Sequence, residues 1–417
     1  MKKALIIAYQ FPPMGGSGVQ RTTKFVKYMR KFNYEPVVFT RKVENMQLKD
    51  ETLLKEIPKD VKIIRTKAYD LTELPKGFNL LGKVIARKVL IPDGERIWQV
   101  FSKEEAVRII KKENIDIFYT TSYPYSDHLL GLYLKDKFPN IPWVADFRDE
   151  WTNNPYLLDN PHYKIRMNIE KDMEKKIMKN ADYLITNTPI MKDNFIKSYP
   201  FTKDKFHVIP NGFDELDFNE LDEERKDNKK YTITYTGSFY GRRKPDVFFK
   251  ACKELIDEGK IDKDKVQIKL IGNYIVKKLN EMIEENNLEN IVDILPYMKH
   301  KKSIQKLLDS DALLLIVGPG PGAEAFYTGK IFEYMRTKRT ILALVPENGV
   351  AADVVRETKT GYVADSRDLI KIKKILLKSY NEWVNKTNKL HPKEEKINEF
   401  DRLRLTEKLV DIFNKGI

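Results

Sequence analysis

Short apolar runs rich in β-branched and aromatic residues alternate along the chain with longer stretches of helical period. Thirteen such runs occur within 417 residues. They fall at residues 4–9, 36–40, 61–65, 115–121, 143–147, 183–186, 206–209, 231–236, 266–271, 292–295, 312–317, 340–345 and 361–363. Amphipathic helix candidates lie between them, among others at residues 19–32, 103–112, 163–179 and 303–308. Strands that alternate with helices predict βαβ units and therefore parallel sheets covered on both faces.

The thirteen runs divide into two groups near residue 210, where Pro210-Asn211-Gly212 precedes the acidic stretch 214–227. Thirteen strands are more than one open, doubly wound sheet usually contains. We therefore predict an α/β protein with two Rossmann-like domains, at residues 1–209 and 210–390. The remaining segment, 391–417, has helical spacing and no strand run. Ligands of such sheets bind at the carboxyl ends of the strands, so a site is expected in a cleft between the two domains.

Charge and cysteine content narrow the range of partners and compartments. The chain has 75 Lys and Arg against 61 Asp and Glu, a net charge of +14, of which +10 lies in residues 1–200. A basic excess of this size favours an anionic partner: nucleic acid, a phosphate-bearing ligand or an acidic membrane surface. A single cysteine excludes an internal disulfide framework and favours the cytoplasm. The opening Met1-Lys2-Lys3 and apolar run predict a buried first strand rather than a signal peptide.

A glycine cluster follows the first strand run. Gly15, Gly16 and Gly18 lie just before a helix candidate, where exposed amides favour anions and glycines allow a ligand to approach the backbone. The spacing is not that of a dinucleotide-binding motif. The cluster is either a tight strand-to-helix turn or a phosphate or sugar contact, and we assign Gly16 and Gly18 to the contact.

Two further loops of the first half carry chemistry after a strand run. His128 falls at a helix start after residues 115–121, with Ser126 and Asp127 as candidate caps. A lone histidine is either a packed residue or one that faces a ligand.

Residues 143–147 lead into the second of these loops, which contains Arg148, Asp149 and Trp151. Its charged groups either form a local ion pair or bind an acceptor hydroxyl and supply a base. We assign Asp149, with His128, to catalysis, and Arg148 and Trp151 to the acceptor side.

In the second half, residues 231–236 are followed by Gly237 and then by three consecutive cations, Arg242, Arg243 and Lys244. These cations either form a solvated loop or neutralise a diphosphate, for which arginine is well suited.

The segment after residues 312–317 is the most informative in the chain. Thr328 or Gly329 marks a helix start whose free amides would receive phosphate oxygens, and Lys330 adds a positive charge there. Glu333 lies one turn further along, where a carboxylate can accept hydrogen bonds from two ribose hydroxyls. The alternative is an ordinary capped helix with a solvated Lys–Glu face.

Taken in order, these motifs resemble those of the GT-B glycosyltransferases of family 4, which are retaining and use nucleotide-sugars. The similarity runs through residues 11–18, 121–128, 144–151, 209–214, 237–244 and 330–343. It implies a C-terminal domain that binds the nucleotide-sugar, an N-terminal domain that binds the acceptor, and a last helix that crosses back to the first domain.

The resemblance also implies roles for individual residues. Glu333 matches the second glutamate of the family's Glu-x7-Glu motif, which holds the ribose. The basic positions that bind the donor diphosphate match Arg242 or Arg243 and Lys244, while His128 matches a loop near the transferred sugar and Gly16 the loop beside the phosphates. The first glutamate of the motif would be residue 325, which is Ala325, so Glu324 is displaced from it by one position. Either the loop shifts its register so that Glu324 serves instead, or the contact with the donor sugar is absent, and we assign Glu324 to catalysis.

The resemblance implies same-face transfer without a metal, and the nucleotide-sugar is a substrate rather than a cofactor. The five histidines are scattered, which does not favour a metal site. A basic amphipathic stretch at residues 78–89 predicts peripheral contact with an anionic membrane at the inner face of the cell membrane, which suits a cell-envelope glycan or lipid-linked acceptor. The alternatives are a nucleotide-sugar epimerase of the same fold, a non-catalytic relative and, last, a nucleic-acid-binding protein, for which no motif is found.

Overall fold

The computed structural model describes residues 1–43, 50–68, 89–387 and 389–417, and the following statements concern these residues. The chain forms two compact units. The first unit comprises Met1–Pro210 together with Arg402–Ile417, and the second comprises Asn211–Asp401. Each unit is built on its own parallel sheet and is described by itself below.

The sheet of the first unit has seven parallel strands in the order β3-β2-β1-β4-β5-β6-β7. These strands are β1 (Lys2–Ile7), β2 (Tyr34–Arg41), β3 (Lys62–Thr66), β4 (Ile117–Ser122), β5 (Trp143–Phe147), β6 (Tyr183–Thr186) and β7 (Phe206–Val208). The interior strand β1 is fully buried from Ala4 to Ile7 because helices cover both faces of a parallel sheet. This burial explains why its sequence is a continuous apolar run rather than an alternating one.

The helices of the first unit are α1 (Ser17–Tyr28), α2 (Glu51–Lys55), α3 (Arg96–Phe101), α4 (Lys103–Glu113), α5 (Ser126–Lys137), α6 (Pro155–Asp159), α7 (Lys164–Asn180), α8 (Pro189–Ser198) and α16 (Arg402–Gly416). The last of these, α16, is separated from the others in sequence by the whole second unit. Leu405, Leu409 and Phe413 of α16 are buried in the same core as Phe25 of α1. The C-terminal helix therefore completes the first unit, as expected.

The second unit has six parallel strands in the order β10-β9-β8-β11-β12-β13. These strands are β8 (Tyr231–Thr236), β9 (Val266–Ile271), β10 (Val292–Leu295), β11 (Ala312–Ile316), β12 (Thr340–Leu344) and β13 (Gly361–Ala364). The helices are α9 (Asp246–Asp257), α10 (Val276–Glu285), α11 (His300–Leu308), α12 (Lys330–Thr337), α13 (Val350–Thr358), α14 (Leu369–Val384) and α15 (Glu394–Asn398).

The predicted α/β class with two parallel sheets is confirmed, and each of the thirteen apolar runs overlaps a strand. The end of the second unit differs from the predicted boundaries. Residues 391–401 lie with the second unit, because α15 packs on α12 and α13 and the Phe400 ring lies 5.3 Å from that of Phe332. The C-terminal segment that returns to the first unit therefore begins at Arg402.

Two points concern membranes. The predicted basic amphipathic stretch, residues 78–89, lies outside the described residues except for Val89. Within the described ranges, no helix combines the length and the apolar composition that a membrane crossing requires.

Candidate functional site

Lys330 begins helix α12 at the carboxyl edge of the second sheet. Its Nζ atom lies 3.9 Å from the centre of the Tyr235 ring and is buried. Among the described residues this nitrogen has no hydrogen-bond partner. Burial, reinforced by the positive charge of Arg243, holds the pKa of the Lys330 ammonium well below its ordinary value. A buried cation without an acceptor is costly, which indicates a place for an anionic ligand.

Two more polar atoms near Lys330 are likewise buried without a hydrogen-bond partner among the described residues. Arg243 Nε and Thr328 Oγ1 are buried and have no hydrogen-bond partner within the described ranges. Thr328 lies two residues before α12, whose first free amides follow it, and Arg243 is close enough to depress the pKa of Lys330. We call Arg243, Thr328 and Lys330 the α12 cluster. Its donors and charge suit the oxygens of a diphosphate.

The structure separates the three consecutive cations that the sequence could only group. Arg243 is 9 % exposed and belongs to the α12 cluster, whereas Lys244 is exposed. Arg242 lies over the glycine loop after β11, where its Nη1 donates to the Pro321 carbonyl at 3.2 Å. A Cβ atom on Gly318 would lie within 2.7 Å of Arg242. Arg242 therefore supports the loop, and Arg243 is the better placed of the pair for an anion.

Glu333 lies one turn along α12 from Lys330, and its carboxylate is partly exposed. Its Oε1 atom lies 2.7 Å from Nε2 of His300, the first residue of α11. Because an ionised carboxylate only accepts hydrogen bonds, Nε2 of His300 carries the proton and donates. The sequence motifs do not indicate His300, since it precedes Glu333 by 33 positions and follows a different strand.

The displaced glutamate of the motif lies in a short 3-10 turn, Ala323–Ala325, before α12. Ala325 is buried, while Glu324 is partly exposed. Gly349 packs against this turn, since a Cβ atom there would lie 3.0 Å from the Glu324 carbonyl oxygen. Glu324 is therefore the carboxylate that this turn can offer to a ligand, and its catalytic role stays a prediction.

In the first unit, His128 is completely buried at the start of α5. Its Nδ1 atom lies 2.8 Å from Thr120 Oγ1, which also accepts a hydrogen bond from Trp143 Nε1 at 2.9 Å. Burial, with a contribution from the Arg148 charge, lowers the pKa of His128 to about 3. The ring is therefore neutral at physiological pH, and its Nε2 atom has no hydrogen-bond partner among the described residues.

The caps of α5 differ from those expected. Neither Ser126 nor Asp127 caps the helix by a side-chain bond. Instead Asp93 accepts from the Ser126 amide at 3.1 Å, and burial raises the pKa of Asp93 to about 6. Asp127 accepts from the Tyr9 amide at 2.8 Å and so ties α5 to the end of β1. Both carboxylates were beyond sequence reasoning because their partners lie 33 and 118 positions away.

Arg148 and Trp151 both support the loops around His128. Arg148 donates to the carbonyls of Gly18 and Ser122, and to that of Tyr123 at 2.8 Å. Trp151 is 2 % exposed, stacks on Tyr125 with ring centres 4.7 Å apart, and donates to Glu170. Within the described residues, the Arg148 guanidinium makes these carbonyl contacts in place of the local ion pair that was one of the two alternatives.

Asp149 follows Arg148 on the same loop. Burial raises the pKa of Asp149 above its ordinary value, although the Arg148 charge opposes the effect. A carboxyl group with a raised pKa can exchange a proton nearer to neutral pH, which is what a general base or acid requires. Its assignment to catalysis stays a prediction.

The two glycines of the first loop are required for different reasons. Gly18 passes beneath Arg148, because a Cβ atom there would lie 2.7 Å from Arg148 Nη1. Gly16 has φ +116° at the N-cap of α1 and meets no atom within 4 Å, so its backbone is open to a ligand. Gly16 therefore suits the predicted phosphate contact, and Gly18 allows the arginine to cross the loop.

Comparison with known proteins gives these features a context. The family model described as Glycosyltransferase Family 4 matches residues 16–215. Over these residues the chain is similar to glycosyltransferase family 4, as its motifs predicted. It is 20 % identical over 219 residues to the mannosylfructose-phosphate synthase of Agrobacterium fabrum, a match that covers 50 % of this chain. The match spans 43 % of that relative, less than half of its length.

Solved structures identify the architecture of this chain as the GT-B fold. A glycosyltransferase from Rickettsia africae has a TM-score of 0.70 at 18 % identity, over 100 % of this chain and 98 % of its own. Anabaena HepE, solved with UDP and glucose, has a TM-score of 0.64 at 15 % identity over 100 % of both chains. At such identities the likeness concerns the fold alone, and the expected GT-B fold is thereby confirmed.

Proposed function

We propose that the protein transfers a sugar from a nucleotide-sugar, bound by the second unit, to an acceptor bound by the first. The observation that carries this proposal is the buried Lys330 ammonium at the start of α12, which has no hydrogen-bond partner among the described residues and has Glu333 one turn further along the helix. A diphosphate and the ribose attached to it need a cationic and a carboxylate contact at about this separation. The similarity of residues 16–215 to glycosyltransferase family 4 supports the same activity.

The α12 cluster would act on the leaving group. When the bond between the sugar and the diphosphate breaks, negative charge develops on the departing phosphate oxygens. Lys330, Arg243 and the first amides of α12 are fixed before the reaction and meet that charge without reorganisation, as in an oxyanion hole. Thr328 and Gly329 contribute the backbone turn that presents these amides, and Arg242 and Lys244 supply outer positive charge. Donor binding and leaving-group stabilisation thus use the same groups.

On the acceptor side, the proposal assigns the chemistry to His128 and Asp149. The neutral ring of His128 offers Nε2 to a sugar hydroxyl, and Asp149 can accept a proton from the acceptor. Arg148 and Trp151, which we assigned to acceptor contact, now act by holding the loops around these groups. Transfer with retention, the contact of Gly16 with the phosphates and a role for Glu324 beside the sugar complete the proposal.

The acceptor class rests on charge. Residues 1–200 have an excess of ten positive charges, which suits an anionic or lipid-linked acceptor of the cell envelope and contact with the cytoplasmic face of a membrane. Sedimentation with liposomes rich in anionic lipid at low salt tests the membrane contact. Absence of the protein from the pellet would remove that part of the proposal and leave glycosyl transfer untouched.

The activity is tested by incubating the full chain with UDP-, GDP-, ADP- and TDP-sugars, with and without a panel of phosphorylated and lipid-linked acceptors. Glycosyl transfer predicts release of the nucleoside diphosphate that depends on an acceptor and forms a glycoside with retained configuration. An epimerase would instead convert the nucleotide-sugar without acceptor. Two variants, Glu333→Ala and the double change Arg242→Ala with Arg243→Ala, should weaken donor binding and remain folded.

A further inference from the structure

The pair formed by His300 and Glu333 joins two helices of the second unit that follow different strands. His300 begins α11, which follows β10, and Glu333 lies in the first turn of α12, which follows β11. Their side chains are 39 % and 24 % exposed, so solvent or a ligand reaches both. Within the described part of the chain, His300 provides the one hydrogen bond to the Glu333 carboxylate.

A carboxylate held at one oxygen differs from a free one in its orientation. The last torsion of a glutamate side chain is broad, so an unpartnered carboxylate samples many orientations. The 2.7 Å hydrogen bond from Nε2 of His300 to Oε1 restricts this torsion. Two carboxylate oxygens offer about four acceptor positions, so one bond to His300 leaves room for two hydroxyl donors. A vicinal diol that binds this carboxylate then finds it already oriented.

We infer that His300 is a positioning residue for binding of the nucleotide-sugar. It orients the Glu333 carboxylate so that this group accepts hydrogen bonds from the 2′- and 3′-hydroxyls of the nucleotide ribose. This inference rests on the proposed function, because it takes Glu333 as the ribose acceptor. His300 touches neither the reacting sugar nor the leaving phosphate in this arrangement. Its effect therefore falls on donor affinity and not on the rate of the chemical step.

The test compares four proteins with two ligands. The proteins are the wild type, His300→Ala, His300→Gln and the control Lys302→Ala, an exposed residue in the same helical turn. The ligands are whichever of UDP, GDP and ADP binds the wild type and its 2′,3′-dideoxy analogue, measured by calorimetry. We expect His300→Ala to weaken the ribonucleotide by about 3- to 10-fold and the dideoxy analogue hardly at all. His300→Gln, whose amide nitrogen replaces Nε2, should restore most of the affinity.

Kinetics add a second readout. His300→Ala should raise KM for the donor and leave kcat unchanged, and Lys302→Ala should change neither. Equal weakening of both ligands by His300→Ala would show that the histidine only maintains local structure, and an unchanged ribonucleotide affinity would also overturn the inference.

The variant Glu333→Ala separates this inference from the proposed function. If Glu333→Ala abolishes discrimination between the two ligands and His300→Ala does not, only the inference about His300 fails. If Glu333→Ala itself leaves the discrimination intact, Glu333 does not hold the ribose, and the donor assignment of the proposed function fails with it. Failure of all three nucleotides to bind the wild type would likewise overturn both.

Discussion

The ammonium nitrogen of Lys330 lies 3.9 Å from the centre of the Tyr235 ring, in contact with its π face. Tyr235 is buried at the end of β8, and its ring stacks on Phe239 with centres 4.4 Å apart. The ring gives the cation a favourable surface but no hydrogen-bond acceptor. Lys330 is thus held in one place by packing while its three donors remain available for a ligand.

Replacing Lys330 with Met separates its cost to folding from its benefit to binding. The pKa of Lys330 is lowered in the folded protein, so at neutral pH the charged lysine destabilises the folded state. The Lys330→Met variant should therefore unfold at a higher temperature than the wild type. Nucleoside diphosphate affinity should fall by about 10- to 100-fold, because a charge-assisted contact is lost. Calorimetric unfolding and titration measure the two effects.

Lys244→Met is the matched control for that change, since Lys244 is exposed on the adjacent loop. It should alter neither the unfolding temperature nor, beyond a small screened effect, the affinity. A Lys330→Met protein that is less stable than the wild type and binds nucleotide normally would show that Lys330 is a structural residue.

Gly237 controls the position of Lys330. A Cβ atom at Gly237 would lie 2.7 Å from both Cε and Nζ of Lys330, and the backbone there has φ +107°. Gly237→Ala should therefore displace the lysine and weaken nucleotide binding. Gly259→Ala provides a control for the backbone strain alone, because Gly259 has φ +64° and no atom lies within 4 Å of its Cβ position. The prediction is wrong if both variants bind nucleotide equally well.

The strands were the most predictable part of the molecule. A buried parallel strand such as β11 has apolar neighbours on both faces, so its sequence is a continuous apolar run. The return of α16 to the first unit was expected from family resemblance rather than from spacing. The placement of residues 391–401 in the second unit was not expected, because it depends on contacts such as that of Phe400 with Phe332.

The pKa of His128 makes the stability of the first unit dependent on pH. Its folded value of about 3 lies below the ordinary value of 6.5, so below pH 6.5 the unfolded chain binds a proton that the folded protein does not. His128 therefore leaves the free energy of unfolding unchanged above pH 6.5. As the pH drops from 6.5 toward 3, the free energy of unfolding falls by about 1.4 kcal/mol per pH unit.

A comparison of the wild type with His128→Gln isolates this dependence from that of the buried carboxylates. Denaturant unfolding at pH 7.5, 6.5 and 5.5, chosen to bracket the ordinary histidine pKa of about 6.5, should show that the wild type loses stability relative to the variant only below that value. Parallel pH profiles for the two proteins would contradict the buried, neutral state of the ring.

Arg21 and Asp146 form a buried ion pair that ties α1 to β5. Arg21 Nε donates to Asp146 Oδ2 at 2.7 Å, and the same guanidinium donates to the carbonyls of Ile209 and Pro210. Asp146→Asn leaves this buried cation without its negatively charged partner and should destabilise the first unit by about 3–5 kcal/mol. Tryptophan fluorescence during denaturation reports the change, since three of the four tryptophans lie in the first unit.

Asp60→Asn is the control for this pair. Asp60 also pairs with an arginine, Arg30, but its side chain is 75 % exposed. Because exposed ion pairs contribute little to stability, the midpoint of denaturant unfolding should hardly change in Asp60→Asn. Equal effects of the two substitutions would mean that the Arg21–Asp146 pair does not hold the unit together.

The candidate site was only partly predictable because its chemistry depends on burial. The sequence placed Lys330 and Glu333 on one turn of a helix, and it placed glycines and cations after strands. It could not distinguish Arg243, which is buried beside Lys330, from Arg242, which lies on the glycine loop. It also could not reveal that Trp151 and Arg148 point into the first unit, or that His300 meets Glu333, since these contacts join segments far apart in sequence.

The most direct test of the account is a thermal-shift measurement of the wild type and Lys330→Met with UDP, GDP, ADP and TDP. A ligand that binds only the folded protein stabilises it by about 2.7 kcal/mol at 100 times its dissociation constant. We predict that at least one nucleotide raises the melting temperature of the wild type and that the same concentration leaves Lys330→Met almost unchanged. No shift with any nucleotide, or equal shifts in both proteins, would contradict a donor site at the start of α12.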